Sequence, residues 1–434
     1  MGLARRSAFC LEIAGIICLI IFIVTLVVLL IEKFDDTAVV LFSMGLAAAV
    51  LYAVGGYGFV EMLNAMNWDT ILFVMAMMII ISVVGSSGMF QYTALILAKR
   101  TRGDPRKVFL VFMTIVFVMS PFIPPLPTII IMATFTVEIC RGLGIDFRPF
   151  LIGEIIVADL GSLPTPIGSI PNLLIVRLAN LDVGSMFVIL MPLSVILLLV
   201  TIVFLLNYYK DVLVPGKFDE TSELFQVDPR VMIKSRFDFY LSILTLGVLM
   251  AGLILVPNES AMVAVLVASA LLVISFDRAK DLLQQLSWET VFFVVGLLGL
   301  VASLSVTNVV TDLVGGLVAL VGGNMYIAAF VFIWVPGFAI GILDTTAVGA
   351  LMAPVAAEFP GGSPIVATSL VAGVNMGGYT IPFGDAPNMY VVSLAEENES
   401  HISWAEFIKL AMTVGLIHLA TATVYMFIIV PFWS

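Results

Sequence analysis

The segment "VADLGSLPTPIGSIPN" (157–172) recurs in altered form 216 residues later as "GVNMGGYTIPFGDAPN" (373–388). Both copies end in the pattern Pro-x-Gly-x-x-Pro-Asn, at 166–172 and 382–388. Proline removes a backbone donor and clashes with the preceding turn, and glycine allows backbone shapes that other residues resist. The sequence therefore predicts two related interruptions of helical structure, one in each half of the chain.

The surroundings of these interruptions are strongly apolar. Hydrophobic residues make up 61% of the 434 residues, charged residues 11%, and the mean hydropathy is +1.17. An average soluble domain carries about 25% charged residues, so this chain cannot cover a water-facing surface of its size. Because a span needs about 20 apolar residues, we expect an all-α polytopic membrane protein with about ten to twelve transmembrane helices in a bilayer, most simply the plasma (inner) membrane.

Charge at the loops predicts the orientation. Arg5 and Arg6 precede a first apolar segment that is too long for a signal peptide and lacks a small-x-small cleavage site. We interpret it as a retained first helix with a cytoplasmic N-terminus. The loop "AKRTRGDPRK" (98–107) carries five basic residues, which also predicts a cytoplasmic position.

The two halves are related beyond the interruptions. "NWDTILFVMAMMII" (67–80) is similar to "SWETVFFVVGLLGL" (287–300). Repeats of this kind are typical of secondary transporters, in which discontinuous helices from both halves meet near the bilayer midplane. The sequence does not show whether the repeats are inverted, although inversion is the expected arrangement. The predicted organisation begins with a first helix and loop at 1–36. A first repeat follows at 37–208, with a hairpin near 108–139 and a broken helix near 148–180. A charged linker at 209–238 leads to a second repeat at 239–434, with a hairpin near 325–357 and a broken helix near 364–394.

A broken helix in a membrane has a chemical use. In hydrocarbon every backbone N–H and C=O needs a partner, so an unwound segment persists only where protein or water covers it. The freed carbonyls attract a cation, and the N-terminus of a helix that restarts attracts an anion. A plain proline kink explains one such motif, whereas a matched pair favours a binding site.

Each half has a second interrupted segment. "SPFIPPLPTIII" (120–131) contains four prolines that cannot lie in a straight helix, which predicts a re-entrant hairpin, and "GFAIGILDTTAVGALMAP" (337–354) is its counterpart. The second segment places Asp344, Thr345 and Thr346 in apolar surroundings. An acid inside a membrane is costly and is a functional-site hypothesis by default.

The other buried polar residues have two interpretations each. Asp159, close to the first break, either binds Na⁺ or carries a proton, or it is a structural cap. Asp385, in the second break, is either an ion ligand or a turn residue. Glu154 is a candidate partner of Arg148. His418 is either a packing histidine with satisfied hydrogen bonds or part of a proton relay.

Several function classes find no support in the sequence. Three scattered cysteines and two histidines form neither a disulfide framework nor a metal site. No phosphate-binding G-x-x-x-x-G-K-[ST] motif occurs, which leaves no ATP site. The net charge of −11 and the lack of a basic stripe argue against nucleic acid. No catalytic arrangement is present either, so we expect neither an enzyme nor a cofactor, apart from a coupling Na⁺ or H⁺.

The segments "NWDTILFVMAMMIIISVVGSSGMFQYTALILAKRTRGDPRKVF" (67–109) and "EICRGLGIDFRPFLIGEIIVADLGSLPTPIGSIPN" (138–172) resemble the ion transporter superfamily. The resemblance covers about 37–431 and is nearest to the branch of arsenite permeases, NhaD-type sodium/proton antiporters and the melanosomal P protein, which is related to divalent anion/sodium symporters. It implies inverted repeats, re-entrant hairpins, broken helices, an elevator-like transport domain and a homodimer.

The resemblance also implies which residues bind substrate or coupling ions. Carried over by motif, they are Thr128 in the first hairpin, Asp159, Ser162, Thr165, Gly168, Ser169, Pro171 and Asn172 in the first break, Asp344, Thr345 and Thr346 in the second hairpin, and Asn375, Gly377, Gly378, Gly384, Asp385, Pro387 and Asn388 in the second break. Asp159, Asp344 and Asp385 are the candidate Na⁺ ligands. The sequence departs from the branch at the first hairpin tip, where Pro124 and Pro125 replace the usual Asp-Asn, and at Thr345, where Asn is usual.

We therefore predict a secondary active transporter that moves a small inorganic or organic anion, arsenite-like or carboxylate-like, by alternating access coupled to H⁺ or Na⁺. The loss of an acid at the first tip favours an anionic or neutral substrate. A Na⁺/H⁺ antiporter is the first alternative and a passive ion channel is the second. Channels usually show a pore of oligomeric repetition or a charged ring, which two related halves do not suggest.

Overall fold

The computed structural model describes residues 2–29, 34–66, 68–214, 228–233, 235–256, 259–284, 286–307, 309, 323–339, 345–357, 359, 364–380 and 385–433. Every regular element in these ranges is helical, which confirms the predicted all-α fold class. The α-helices are α1 Gly2–Leu29, α2 Asp36–Val50, α3 Phe59–Asn64, α4 Trp68–Ser86, α5 Met89–Arg100, α6 Pro105–Met119, α7 Pro125–Leu143, α8 Arg148–Ser162, α9 Ile170–Leu178, α10 Val183–Tyr208, α11 Arg236–Leu255, α12 Ser260–Ile274, α13 Ala279–Gln284, α14 Trp288–Val306, α15 Met325–Ala339, α16 Thr345–Ala357, α17 Pro364–Gly378, α18 Ala386–Glu397 and α19 Trp404–Trp433. A π turn at Leu51–Gly55 extends α2, and short 3₁₀ helices lie at Pro229–Met232 and Phe276–Arg278.

Helix length separates the spanning helices from the others. Within the described ranges, eight helices are long and apolar enough to cross a membrane, or nine if the bent pair Ala261–Ile274 and Phe276–Gln284 forms one span. The sequence predicts ten to twelve crossings. The number of long helices is smaller because helices beside the breaks, such as α8 and α17, have only 15 residues each, fewer than the about 20 that a span requires.

The two breaks have the same layout. The end of α8 at Ser162 and the start of α9 at Ile170 are separated by seven intervening residues. The end of α17 at Gly378 and the start of α18 at Ala386 have the same separation. All four boundaries, together with the starts of α8 and α17, are related by the 216-residue offset of the sequence motif. The proline and glycine pattern therefore ends and restarts both helices at equivalent positions.

The first proline-rich segment forms a turn between α6 and α7. Asp104 caps α6 by accepting hydrogen bonds from the backbone N–H groups of Arg106 and Lys107. The chain turns between residues 119 and 125, but Pro125 and Pro127 lie inside the first turn of α7. The prediction that all four prolines are excluded from straight helix is wrong for these two, because the first helical turn does not use its N–H groups and tolerates proline.

The start of α6 and the start of α8 lie at the same face of the molecule. Arg106 donates from Nε to the carbonyl oxygen of Leu213, just after α10, at 3.1 Å. Tyr209, at the end of α10, is near enough to Arg148 and Glu406 to interact electrostatically with both. The starts of α6 and α8 therefore lie near the same end of α10, as the predicted hairpin of α6 and α7 requires.

The end of α18 lies near this face as well. Arg141, in the last turn of α7, donates from Nη2 to the carbonyl oxygen of Asn398 at 2.7 Å. Asn398 directly follows α18. The corresponding end of α9 contains Arg177, which interacts instead with Asp69 and Glu259 on other helices. The equivalent short helices α9 and α18 therefore end in different surroundings.

Helices α8 and α17 form the centre of the protein. Every residue of α8 after Arg148, and every residue of α17 after Pro364, is buried. A helix that is buried on all sides belongs to the core. Glu154 lies on α8, where Thr136 donates a hydrogen bond to it. The suggested pairing of Glu154 with Arg148 is wrong, because Arg148 forms a 2.7 Å ion pair with Asp146 beside it.

Candidate transport site at the two helix breaks

The first break is held by hydrogen bonds to the hairpin tip. Thr165 donates from Oγ1 to the carbonyl oxygen of Pro121 at 2.6 Å and accepts from the backbone N–H of Gly168 at 3.1 Å. The hydroxyl thus bonds one carbonyl at the hairpin tip and one N–H in the unwound segment. Both backbone groups need such a partner, because hydrocarbon supplies no water to bond them. A threonine between two prolines therefore joins the hairpin to the break.

The asparagine that closes each motif ties the new helix to the end of the old one. Asn172 donates from Nδ2 to the carbonyl oxygens of Ser162 at 2.8 Å and Thr165 at 3.2 Å. Asn388 donates from Nδ2 to the carbonyl oxygen of Gly378, also at 2.8 Å. In both cases Nδ2 reaches the carbonyl ten residues earlier. The last carbonyls of a helix have no intrahelical partner, and the asparagine side chains supply a hydrogen-bond donor to them.

The two breaks are joined to each other at the centre of the protein. Asn375 of α17 donates from Nδ2 to Oδ1 of Asn172 at 2.6 Å. The hydroxyl of Ser162 is shared between the carbonyl oxygen of Asp159 at 2.8 Å and Oδ1 of Asn375 at 3.0 Å. All three side chains are buried. A buried polar network of this kind holds its members in one geometry when every group is satisfied. The structure thus brings Asn375 to Ser162 and Asn172, which lie 213 and 203 positions away in the sequence.

Two carboxylates converge beside this network. A Cβ atom built on Gly378 would lie 3.4 Å from Oδ2 of Asp159, 3.8 Å from Oδ2 of Asp385 and 3.2 Å from Cγ2 of Thr345. Asp159 is 3% exposed, and its Oδ2 has no hydrogen-bond partner within the described part of the chain. The second break therefore places three predicted site residues around one glycine.

Asp385 combines the two roles that the sequence leaves open. Its Oδ1 accepts from the backbone N–H of Ala386 at 2.9 Å, at the N-cap of α18. Its Oδ2 points to the space beside Gly378. One oxygen therefore caps a helix, as aspartate favours, while the other remains directed at the site.

A small cavity of about 50 Å³ lies between α4 and the first break. Apolar side chains of α4, among them Phe73 and Met77, line one side, and Pro124 and Ser169 line the other. Ser169 is the N-cap of α9 and makes no side-chain cap hydrogen bond. The N-terminus of α9 therefore opens onto a space that is large enough for a water molecule or two.

The remaining predicted residues have simpler surroundings. Thr128 donates to the carbonyl oxygen of Ile123 and closes the turn of the first hairpin. Thr346 is buried on α16. The carbonyl of Gly377 accepts from the hydroxyl of Thr380 at 2.7 Å. Pro171 and Pro387 are buried in the first turns of α9 and α18. Asp344 and Gly384 lie outside the described residues.

A polar group that the sequence analysis did not select lies behind the second break. Tyr379 directly follows Gly378, and its hydroxyl is 2.7 Å from Nδ1 of His418. Nε2 of His418 is 3.1 Å from Oγ1 of Thr201, which itself donates to the carbonyl oxygen of Leu197. Since the threonine proton is already used, Nε2–H donates to Thr201 and Nδ1 accepts from Tyr379. Both ring nitrogens are satisfied by a neutral imidazole, as the packing interpretation of His418 requires. The signal in the sequence was the tyrosine itself, a polar side chain in an apolar segment next to the motif.

Metal-ligating side chains are sparse in the described parts of the chain. There, no three histidine, cysteine, aspartate or glutamate residues are grouped so as to hold a metal ion. Asp159 and Asp385 offer carboxylate oxygens, and among the described residues no third such side chain completes a metal-holding group with them. This donor set suits a proton or a weakly held monovalent cation better than a structural metal.

Comparison with known proteins places this geometry in a family context. The CitMHS family, described as citrate transporter, matches residues 26–372. The uncharacterized transporter Rv2684 of Mycobacterium tuberculosis is 27% identical over 95% of this chain and 98% of its own length. The P protein of Homo sapiens is 27% identical over 38% of this chain and 19% of its own length. The crystal structure of the Alcanivorax borkumensis YdaH transporter, reported to have an unusual topology, covers 91% of this chain and 97% of its own, with a TM-score of 0.65 at 13% identity.

Proposed function

This chain belongs to the CitMHS citrate transporter family, and on that premise we propose that it is a secondary active transporter for a small carboxylate-bearing anion, coupled to H⁺ or Na⁺. Family membership makes it a transporter and an integral multi-pass membrane protein, and it confirms the predicted ion transporter superfamily. The substrate class, the coupling ion and alternating access are the proposal. Citrate, the substrate in the family's description, is the first anion to test.

The observation that carries the proposal is the junction of the two breaks through Asn172, Asn375 and Ser162. It joins two interrupted helices at one buried contact, and the asparagines in the first turns of α9 and α18 are buried. Helix N-termini attract anions. The carboxylates of Asp159 and Asp385 lie in the same region and attract a cation. A site that holds both charges favours the movement of an anion together with a cation.

This combination also ranks the alternatives. A Na⁺/H⁺ antiporter needs carboxylates that exchange two cations, but it has no use for an uncapped helix N-terminus. A channel needs a continuous pore, whereas Ser162, Thr165, Asn172 and Asn375 are all buried at the junction. Closed packing at the site favours alternating access. Accordingly, the carrier interpretation is preferred to the channel.

We also propose that the two halves are inverted with respect to each other. Arg141 places the end of α18 near the face where α6 and α8 begin. Helix α9 continues away from α8 and ends near Asp69 and Glu259. If α9 and α18 end at opposite faces, the halves cross the membrane in opposite directions, as in many secondary transporters. The homodimer, the elevator-like motion and the inner-membrane location remain predictions.

The direct test is transport by the purified protein in proteoliposomes. Radiolabelled citrate, succinate and arsenite are offered in turn under an imposed H⁺ or Na⁺ gradient, and ²²Na⁺ efflux is followed separately. The variant Asn172→Ala removes the link between the breaks, and Asn64→Ala changes an exposed asparagine at the end of α3. Each variant is first checked for a single monodisperse species.

We expect saturable, gradient-driven uptake of a carboxylate in the parent protein and in Asn64→Ala, and strongly reduced uptake in Asn172→Ala. Na⁺ efflux driven by H⁺ without any anion would instead identify an antiporter. Flux that ignores both gradients and rises linearly with concentration would identify a channel. Either result would overturn the proposal.

A further inference from the structure

The two breaks differ at one reciprocal contact. Under the 216-residue offset, Asp159 corresponds to Asn375 and Ser162 corresponds to Gly378. In the structure Asn375 contacts Ser162, and Asp159 faces Gly378, so that each helix presents its polar residue to the equivalent position of the other. The Ser162 hydroxyl is shared between Oδ1 of Asn375 at 3.0 Å and the backbone carbonyl of Asp159 at 2.8 Å. The side chain of Asp159 faces a glycine instead, and no hydroxyl of a described residue reaches its Oδ2.

The missing hydroxyl leaves a carboxylate oxygen without a donor. Oδ2 of Asp159 is buried and has no hydrogen-bond partner among the described residues. The space beside it would hold the Cβ of a residue at 378, at 3.4 Å from the oxygen. An ionised carboxylate in this position would be an uncompensated buried charge, which is strongly destabilising. The site is therefore stable only when something neutralises the carboxylate.

The neighbouring groups make neutralisation more necessary. Asp385 directs Oδ2 to the same space and repels a second negative charge on Asp159. Tyr379 is the other titratable group that acts on Asp159, and its hydroxyl is engaged with His418. Neither neighbour supplies a positive charge. Two like charges that close cannot both persist without a proton or a bound cation.

We infer that Asp159 binds and releases the coupling proton, and that the hydroxyl absent at Gly378 is what leaves its carboxylate open to that proton. The inference rests on the proposed function and names the coupling group of the same site. The three atoms nearest to the space are two carboxylate oxygens and one methyl carbon. A proton neutralises the carboxylate without any further ligand from the protein, and transport under a Na⁺ gradient distinguishes it from a bound sodium ion.

The chemical step is a simple protonation. Hydronium gives its proton to the Asp159 carboxylate, so that one O–H bond of hydronium breaks, one forms on the carboxyl group, and water leaves. The charge of the site changes by one unit without oxidation. Asp385 beside it is only partly buried. Release reverses the step when the opposite face opens.

The test combines three variants. Two replace a carboxyl group by the amide of nearly the same volume, and the third fills the space beside Gly378. Asp159→Asn places in the first break the residue that Asn375 provides in the second. Gly378→Ser restores the missing hydroxyl beside Asp159. Glu154→Gln is the matched control, because it removes the other fully buried carboxyl group from the same helix. Radiolabelled citrate is the probe, with succinate as the second choice if citrate is not exchanged.

Three readouts separate coupling from substrate binding. Counterflow exchange of citrate requires the carrier but no net proton movement, whereas accumulation under a pH gradient requires both. Infrared difference spectra of the substrate-free protein between acidic and alkaline buffer report the C=O band of a protonated carboxylic acid directly.

We expect Asp159→Asn to retain exchange, to lose accumulation under a pH gradient and to lose one carboxylic acid band. Gly378→Ser should shift the half-maximal pH of accumulation to lower values, because a donated hydroxyl favours the ionised carboxylate. Glu154→Gln should accumulate citrate like the parent protein.

Accumulation by Asp159→Asn equal to that of the parent would overturn the inference while leaving the proposed transport intact. Accumulation that follows a Na⁺ gradient and ignores pH would also overturn it. If the parent protein exchanges neither anion, the proposed function fails, and the infrared band of Asp159 still decides whether this residue takes up a proton.

Discussion

Individual residues at the centre of this protein tolerate little change because two helices approach closely there. A Cβ on Gly161 would lie 2.7 Å from the carbonyl oxygen of Phe117 and 2.8 Å from Cβ of Ser120. Both atoms belong to the end of α6 or the residue after it, so the glycine lets the hairpin pack against α8. Gly161 corresponds to Gly377 in the repeated motif. The sequence motif therefore selected this position, although it did not predict the contact of Gly161 with the end of α6.

We predict that Gly161→Ala lowers the thermal unfolding midpoint in detergent. The added methyl group would be forced against a backbone carbonyl, and overpacking of this kind costs about 1–3 kcal/mol. Gly247→Ala is the matched control, because Gly247 also lies inside a helix but a Cβ there meets nothing within 4 Å. The control should be neutral or stabilised by up to about 1 kcal/mol, since alanine is the better helix former. Equal midpoints for the two variants in scanning fluorimetry would contradict the packing argument.

At the scale of elements, the hairpin and the broken helix of the first half act as one unit. The proline-rich tip is predicted as a hairpin from composition alone, and the starts of α6 and α8 lie near the same end of α10 in the structure. The link between them and the break is the hydroxyl of Thr165, which bonds Pro121 on one side and Gly168 on the other. Any movement of the break therefore pulls on the hairpin tip.

We predict that Thr165→Val, which keeps the shape and removes the hydroxyl, destabilises the fold by about 1–3 kcal/mol, because it leaves a buried carbonyl and a buried N–H unpaired. It should also slow carboxylate uptake in proteoliposomes, and Thr165→Ser should restore most of both. The control is Thr413→Val, since Thr413 is exposed on α19 and bonds only to the carbonyl four residues earlier. A loss in Thr413→Val as large as that in Thr165→Val would show that the hydroxyl at the break has no special role.

At the scale of the whole molecule, the relation between the halves decides how the site reaches water. The turns that follow α9 and α18 each hold an exposed residue with positive φ, Asn180 (51°) and Glu399 (58°). Inverted halves would put these two turns on opposite sides of the membrane. Halves in the same orientation would put them on the same side.

We predict that a cysteine at Asn180 reacts with a membrane-impermeant thiol reagent from outside intact cells, and that one at Glu399 reacts only after permeabilisation. The expected sides follow from the basic loop, in which Arg102→Cys serves as the cytoplasmic reference. The background protein carries alanine in place of Cys10, Cys18 and Cys140. Labelling of Asn180→Cys and Glu399→Cys from the same side would exclude inversion.

The sequence by itself determined the membrane class, the position of both breaks and their kinship, because these depend on composition and on proline and glycine, whose effects are local. It also selected Asp159, Asn172, Asn375 and Asp385 by motif. It could not assign contacts between residues more than 200 positions apart, since those depend on how helices pack. Only the tertiary structure decided three contacts: Asn375 with Ser162, Oδ2 of Asp159 beside Gly378, and neutral His418 with Tyr379. The physical reason is that a buried polar group can bond only to the partners that helix packing brings within reach.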